Sequence, residues 1–413
     1  MGWWVGSVAM VAGGACSGAA WAQSQAERPS RAVTSERATD ADVRAQGERI
    51  AERAIAFLRT QQDEVTGGWG VRPGGPRLPA VTGLVLRGML MQPGIDARDG
   101  HVRRGASFIL EHRQADGGIY DRILASYNTS ICVSALARLG TPEASEAIEP
   151  ALEFLRSIQW HEAAGVGSGA DAETGRVTGE HPFYGGIGYG GSSRPDSSNL
   201  HFFINAFIDA GVDCEDPAVQ RALVFLARTQ MHEDINDMPY AEGSTQGGFI
   251  YATSPSGDQL GIGESKAGEI EEITPDGERV SRLRAYGSMT YAGFRTYIYA
   301  QLERDDPRVE AALGWIRQNY TLAENPGVGN DGLYYYYVTF ANALAALGED
   351  RLEIRHPDGS TEARPWRRDL IERLAELQNE DGSFRPVDQR WMEGDPVLIT
   401  AYSLIALQHA LRD

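Results

Sequence analysis

The stretch "FLRTQQDEVTGGWGV" from Phe57 is one copy of a phrase that returns along the chain. An amphipathic helical pattern ends near a glutamine, a polar loop follows, and a glycine with an aromatic or apolar residue closes the turn. The glutamines are Gln62, Gln114, Gln159, Gln230, Gln318 and Gln378, and the tags are "GGW" at Gly67, "GGIY" at Gly117, "GGIGY" at Gly185, "GGF" at Gly247, "DGLYYYY" at Asp331 and "DGSF" at Asp381. The separations are unequal, so the unit is elastic and its elasticity sits in the loops. Glycine permits a positive-φ turn and close backbone approach, and the ring after it supplies area to pack.

A second, more apolar helical pattern follows each tag. These begin at Ala80, Asn128, Ser197, Ser288, Val338 and Val397. Their richer apolar content marks them as the buried members of each pair. A single helical hairpin cannot bury a core, whereas stacked hairpins can, and six suffice to close a ring. The expected fold is therefore all-α: an α/α toroid of six helical hairpins, inner and outer helices concentric, over residues 43–413 as one domain. Two inserts, one from Ala267 and one from Leu352, alternate across Pro-Asp-Gly turns and read as short β-hairpins beside the mouth of the ring.

The first 22 residues carry no charged side chain and end on Ala20-Trp21-Ala22, which fits a signal peptide or an N-terminal anchor. Residues 23–42 are polar and aperiodic and read as a disordered linker. Export to a periplasmic or extracellular location is the expectation, with membrane association only through an uncleaved N-terminal segment. The net charge of −19 and the lack of any basic run argue against nucleic acid as a partner. Lys266 is the chain's only lysine, and the sequence gives it no functional weight. Past the leader only Cys132 and Cys214 remain; their places in different helical segments, one near a start and one past an end, set them too far apart to pair.

A glutamine followed by an acidic, Gly-aromatic tag resembles the "QW" repeat of the squalene-hopene and oxidosqualene cyclase and protein prenyltransferase superfamily, and "RLAELQNEDGSF" from Arg373 is its cleanest copy. The resemblance covers nearly the whole chain past the linker. It implies inner helices that run parallel, with N-termini gathered at one mouth of a central cavity and their partial positive charges turned towards it. In such cyclases an Asp-x-Asp-Asp motif protonates an alkene or epoxide. Here "RPDSSN" places Asp196 at the first position of that motif, with Ser198 and Asn199 at the others, so proton-initiated cyclisation loses its acid. Asp196 and Ser197 also suit helix N-capping. The zinc-holding Asp, Cys and His of the prenyltransferases have no counterpart pattern, and neither metal nor cofactor is expected. His201 and His409 lie in different hairpins and read as packing groups.

The residues expected to border the mouth are Asn128, Thr129, Asp196, Ser198, Asn199 and Tyr291, with Met289 and Tyr334 to Tyr337 nearby. Asp196 is the one candidate for a catalytic group. Three functional readings follow. One is a terpenoid cyclase-like protein binding an apolar small molecule in its cavity, whose rings also suit a carbocation. The second is a non-catalytic scaffold that binds an envelope protein. The third is a carbohydrate-active toroid enzyme, which needs two carboxylates on one cleft and has Asp196, Asp331 and Asp395 to offer.

Overall fold

The computed structural model describes residues 39–70, 78–162, 177–190, 193–273 and 277–412. The leader, the linker up to residue 38 and the Pro275-Asp276 pair of the first expected hairpin turn lie outside the described residues. Among these there are twelve α-helices and two small antiparallel β-hairpins.

The odd-numbered helices are α1 (Asp40–Thr60), α3 (Gly100–Glu111), α5 (Pro142–Ile158), α7 (Pro217–Thr229), α9 (Pro307–Gln318) and α11 (Trp366–Leu377). The even ones are α2 (Pro79–Leu90), α4 (Ala125–Leu139), α6 (Ser197–Asp209), α8 (Gly287–Tyr299), α10 (Leu333–Leu347) and α12 (Pro396–Leu411). Asp-Pro and Thr-Pro pairs punctuate the starts. Asp216, Asp306 and Asp395 accept backbone N–H groups of the first turn, while the following proline occupies a position that needs no donor. Thr39 and Asp42 form a reciprocal capping box, so α1 begins at Asp40, three residues inside the expected linker.

The two sets differ in burial as their sequences imply. In α3 only the stripe Val102, Gly105, Ala106, Phe108 and Ile109 is buried, whereas α12 buries every residue from Val397 to Leu411. Each even helix contacts the next even one in chain order, and α12 returns to α2, which closes a cycle. The odd helices lie against this cycle from outside: α3 on α2, α5 on α4, α9 on α8, and both α1 and α11 on α12. One continuous apolar core runs through both layers.

The recurring glutamines join neighbouring outer helices. The Gln159 amide donates to Gly185 O (2.9 Å) in its own turn and to Ala218 O (2.8 Å) in α7. Gln62 spans Gly67 O and His101 O of α3, and Gln230 spans Gly247 O and Arg308 O of α9. Gln378 spans Gly382 O and Ile50 O of α1, which carries the seam from the last turn back to the first helix. Two copies depart: Gln114 binds only its own loop, at His112 O and Tyr120 O, and Gln318 is the last residue of α9. The glycines act with them. Gly185 has φ +80°, and a Cβ there would lie 1.8 Å from Arg221 O of α7. Gly382, at φ +91°, would meet Arg53 O of α1 at 2.3 Å. Any side chain at these turns would push the next outer helix away.

Strands β1 (Glu269–Ile273) and β2 (Arg279–Leu283) pair with Glu269 opposite Leu283, and β3 (Leu352–Arg355) and β4 (Thr361–Arg364) pair with Leu352 opposite Arg364. The second hairpin is not beside the mouth. It follows the C-terminal end of α10 and packs on α9, at the end of the ring away from the even-helix N-termini. Cys132 and Cys214 are both free, buried thiols, and no helix among the described residues is long and apolar enough to cross a membrane.

Candidate functional site

The N-terminal halves of five even helices line a cavity of about 300 Å³. Helices α4, α6, α8, α10 and α12 each supply part of its wall: Leu124 and Tyr127 at the start of α4, Ser198 in α6, Ser288 and Met289 in α8, Tyr335 in α10 and Tyr402 in α12. Loops add Tyr189, Tyr251, Lys266, Tyr286, Asp331 and the run Trp391-Met392-Glu393. Rings dominate. Tyr335 lies 5.7 Å from Phe202 and 6.1 Å from Tyr402, centroid to centroid. The phenols stay protonated, since burial pushes Tyr127 up to about 12 and holds Tyr286, Tyr335 and Tyr402 well above the usual range. The Tyr335 hydroxyl meets His201 Nδ1 at 2.8 Å, and the far ring nitrogen of His201 meets Asn205. Burial first, then the charges of Arg295 and Arg87, holds this imidazole neutral.

Part of the wall is held in left-handed backbone. Leu124 (φ 55°), Trp391 (φ 58°) and Met392 (φ 64°) all line the cavity, and Arg122 (φ 65°) lies two residues before Leu124. Side chains at such angles cost about 1–2 kcal/mol each, so packing around the cavity must overdetermine them.

Glu393 is the carboxyl of the site. It is 1% exposed, and its two oxygens accept the backbone N–H groups of Tyr334 (3.0 Å) and Tyr335 (2.8 Å), capping α10 from another part of the chain. Gly332, the residue at the cap position of α10, has no side chain for that work. Burial pushes Glu393 up to about 7, against the lowering effect of those amides. At neutral pH the group is therefore divided between its acid and its carboxylate form. Asp331 also lines the cavity and is ion-paired to Arg390, whose guanidinium lies over Trp391 at 5.0 Å.

The six residues expected at the mouth are divided by the structure. Ser198 lines the cavity. Asp196 lies behind it as the N-cap of α6. Its Oδ1 accepts from Ser198 N (3.1 Å), Ser198 Oγ (2.6 Å) and Asn199 N (2.9 Å), and its Oδ2 accepts from Asn199 Nδ2 (2.8 Å). Burial raises the Asp196 carboxyl while these donors lower it. The group is fully enclosed, and its oxygens are occupied by its own helix start.

Asn128, Thr129 and Tyr291 face neighbouring structure instead. Asn128 accepts from Ala80 N (3.0 Å) and donates to Ile123 O and Leu124 O, tying α4 to the start of α2. Thr129 Oγ1 takes Ile119 N at 2.9 Å, the bond that Thr82 makes with Trp69 N and Thr290 with Phe249 N. These threonines hold the tags. Tyr291 packs between Tyr336 and Phe340 in the core. Asp395 caps α12, at Val397 N and Leu398 N. Of the four consecutive tyrosines only Tyr335 reaches the cavity wall; Tyr336 and Tyr337 send their hydroxyls to Thr321 O and Leu322 O.

Lys266 and Glu393 are among the wall residues to which the sequence gives no weight. Lys266, set aside there, stands in the wall with its ammonium 4.5 Å from the Tyr251 ring centre. Glu393 had no motif around it; the only local sign was a tag, Asp331-Gly332, that opens a helix without a capping side chain. Among the described residues no group of three or more His, Cys, Asp or Glu is arranged to hold a metal ion.

The fold is that of an α/α toroid. No family model matches the chain, and no curated protein matches it. Solved structures do. The chain is similar to a D-mannose isomerase, with a TM-score of 0.54 at 12% identity, over 89% of this chain and 97% of that one. It is similar to an unsaturated glucuronyl hydrolase specific for heparin, with a TM-score of 0.53 at 11% identity, over 89% and 97%. A type II terpene cyclase, MstE from Scytonema, aligns with a TM-score of 0.47 at 13% identity, over 89% and 98%. At such identities the likeness is one of fold.

Proposed function

We propose that this protein is an exported, terpenoid cyclase-like toroid of six helical hairpins that binds an apolar, isoprenoid-like molecule in its central cavity. The observation that carries the reading is the lining: Tyr127, Tyr286, Tyr335, Tyr402, Trp391 and Met289 present rings and a thioether to one cavity. Ligand pockets are largely apolar with a few placed polar groups, and this wall has that composition. Electron-rich ring faces also suit a ligand with cationic character. Asp196 is not proposed as a proton donor, because its oxygens are engaged by Ser198 and Asn199. A cavity open to a ligand favours this reading over a scaffold whose centre is filled.

Mass spectrometry of an organic extract of the protein purified from its native host tests the proposal, with heat-denatured, washed protein as control. A stoichiometric isoprenoid released only from folded protein is the expected result. An empty extract after gentle purification, together with no uptake of added isoprenoids, overturns it.

A second reading rests on a separate observation. Asp331 and Glu393 bring two carboxyls to the same cavity, a carbohydrate-active toroid works with two carboxyls on one cleft, and a carboxyl raised to about 7 suits a general acid. Release of reducing sugar from a glycan panel by wild type, lost in Glu393→Gln, would move the function to that class.

A further inference from the structure

Behind one stretch of the cavity wall two cations meet at one carboxylate. Arg194 Nη1 lies 3.0 Å from Glu264 Oε2, and the Lys266 ammonium pairs with Glu264 Oε1. Two positive side chains thus share one carboxylate. Both lie over Tyr251, Arg194 with its Cζ 5.3 Å from the ring centre and Lys266 at 4.5 Å. The backbone holds the arrangement: Tyr251 N and Ala252 N donate to Glu264 O, Glu264 N returns to Ala252 O, and Arg194 Nη1 reaches Ser254 O at 3.1 Å. Arg194 is therefore committed to the loop. Lys266 is the member of the three that lines the cavity.

The other carboxyls of the wall are engaged elsewhere. Asp331 is paired with Arg390, and Glu393 is held by the Tyr334 and Tyr335 amides. Lys266 is the cationic side chain that lines the cavity beside these apolar rings, in a chain of net charge −19. A charge beside a low-dielectric space is stabilised by an opposite charge brought in by whatever fills that space.

We propose that the ligand is an amphipathic carboxylate, with its acid end paired to Lys266 and its apolar body among Tyr286, Met289, Tyr335 and Tyr402. The inference rests on the apolar-ligand reading above and adds the head group. A monoanion fits better than a phosphate ester. Lys266 offers a compact ammonium, the Arg194 guanidinium beside it is committed to Glu264 and Ser254 O, and a second negative charge would face Asp331 and Glu393.

The test is calorimetric titration of the full chain with farnesoic acid and with methyl farnesoate, which differ only at the head. Wild type should bind the acid about tenfold more tightly than the ester, the order expected for one charge-assisted contact. In Lys266→Met that ratio should fall to about one, and in Lys266→Arg it should survive. Equal affinities in wild type, or a ratio that persists in Lys266→Met, overturns the head-group assignment and leaves the apolar-ligand reading standing. If neither compound binds, both fall.

A second measurement uses wild type alone. Lys266 is the only lysine, so acetylation there is read from one peptide. Farnesoic acid should slow it more than the ester does, and equal protection counts against the proposal.

Discussion

Glu393 joins two tasks in one side chain, since it caps α10 and stands in the cavity wall. Its carboxyl is raised from the ordinary 4.5 to about 7 in the folded protein. The folded state therefore binds the proton more tightly than the unfolded chain, and the associated stability is fully present below about pH 4.5 and is lost as pH rises through about 7. The span corresponds to about 3 kcal/mol. Glu393→Gln should remove this slope from urea unfolding curves measured across that range, at a uniform cost of about 1–2 kcal/mol, because one amide then faces an NH₂ group. A variant with the wild-type slope would show that another group carries it. At the far ends of the even helices, Asp209 is 2.9 Å from Arg138 and 3.3 Å from Arg87, with side-chain exposures of 6% for the acid and 2% for Arg87. Asp209→Asn should cost about 3–5 kcal/mol in the same assay, since it strands a buried guanidinium. Residues of this scale were the least legible in the sequence. The sequence puts Asn128 and Thr129 at the start of an inner helix, but which way a side chain turns depends on helix phase and on the tag it meets. Lys266 and Glu393 belong to irregular loops, where neither period nor motif announces them.

The repeated glutamine is an element-scale device, and its copies are unequal. Gln159 is fully buried, donates to two carbonyls and accepts from Arg221 Nε at 3.1 Å. Gln159→Ala should lower stability by about 2–4 kcal/mol, because these partners lose their bonds away from water. Gln114 binds within its own exposed loop, so Gln114→Ala should cost under about 1 kcal/mol. Similar losses at the two sites, read from midpoints at constant denaturant slope, would contradict this division. At this scale the sequence was informative. Period and punctuation located the helices, their buried and amphipathic classes, and both β-hairpins. The tags marked where neighbouring turns approach, since only glycine tolerates Arg221 O or Arg53 O so near. It did not place the β3–β4 hairpin, because a local turn signal carries no information about which end of a helix bundle it faces.

For the whole molecule the main fact is closure. Helix α12 touches α2, α1 lies on both α11 and α12, and Gln378 reaches Ile50 O. An open solenoid frays from its ends, whereas a closed ring has none to fray from, so unfolding should be a single cooperative transition. Deleting α12 should abolish that transition in circular dichroism rather than shift it, because it exposes the apolar flanks of α2 and α10 together. Retention of a sharp transition would show that five pairs stand alone. The number of copies and the family resemblance imply closure; the bond that seals it is not legible in the sequence, since it joins positions at opposite ends of the described chain.

The seam at Gln378 and Gly382 is built like the joins at Gln159 and Gly185, with the same amide bridge and the same glycine against the next helix. The ring consequently has a cyclic order but no privileged origin. A permuted gene that links residue 412 to residue 39 through a short flexible linker, and opens the polypeptide in the loop between α8 and α9, should yield the same cavity around the same ligand. Connectivity, for this protein, is a matter of bookkeeping imposed by translation rather than by the architecture.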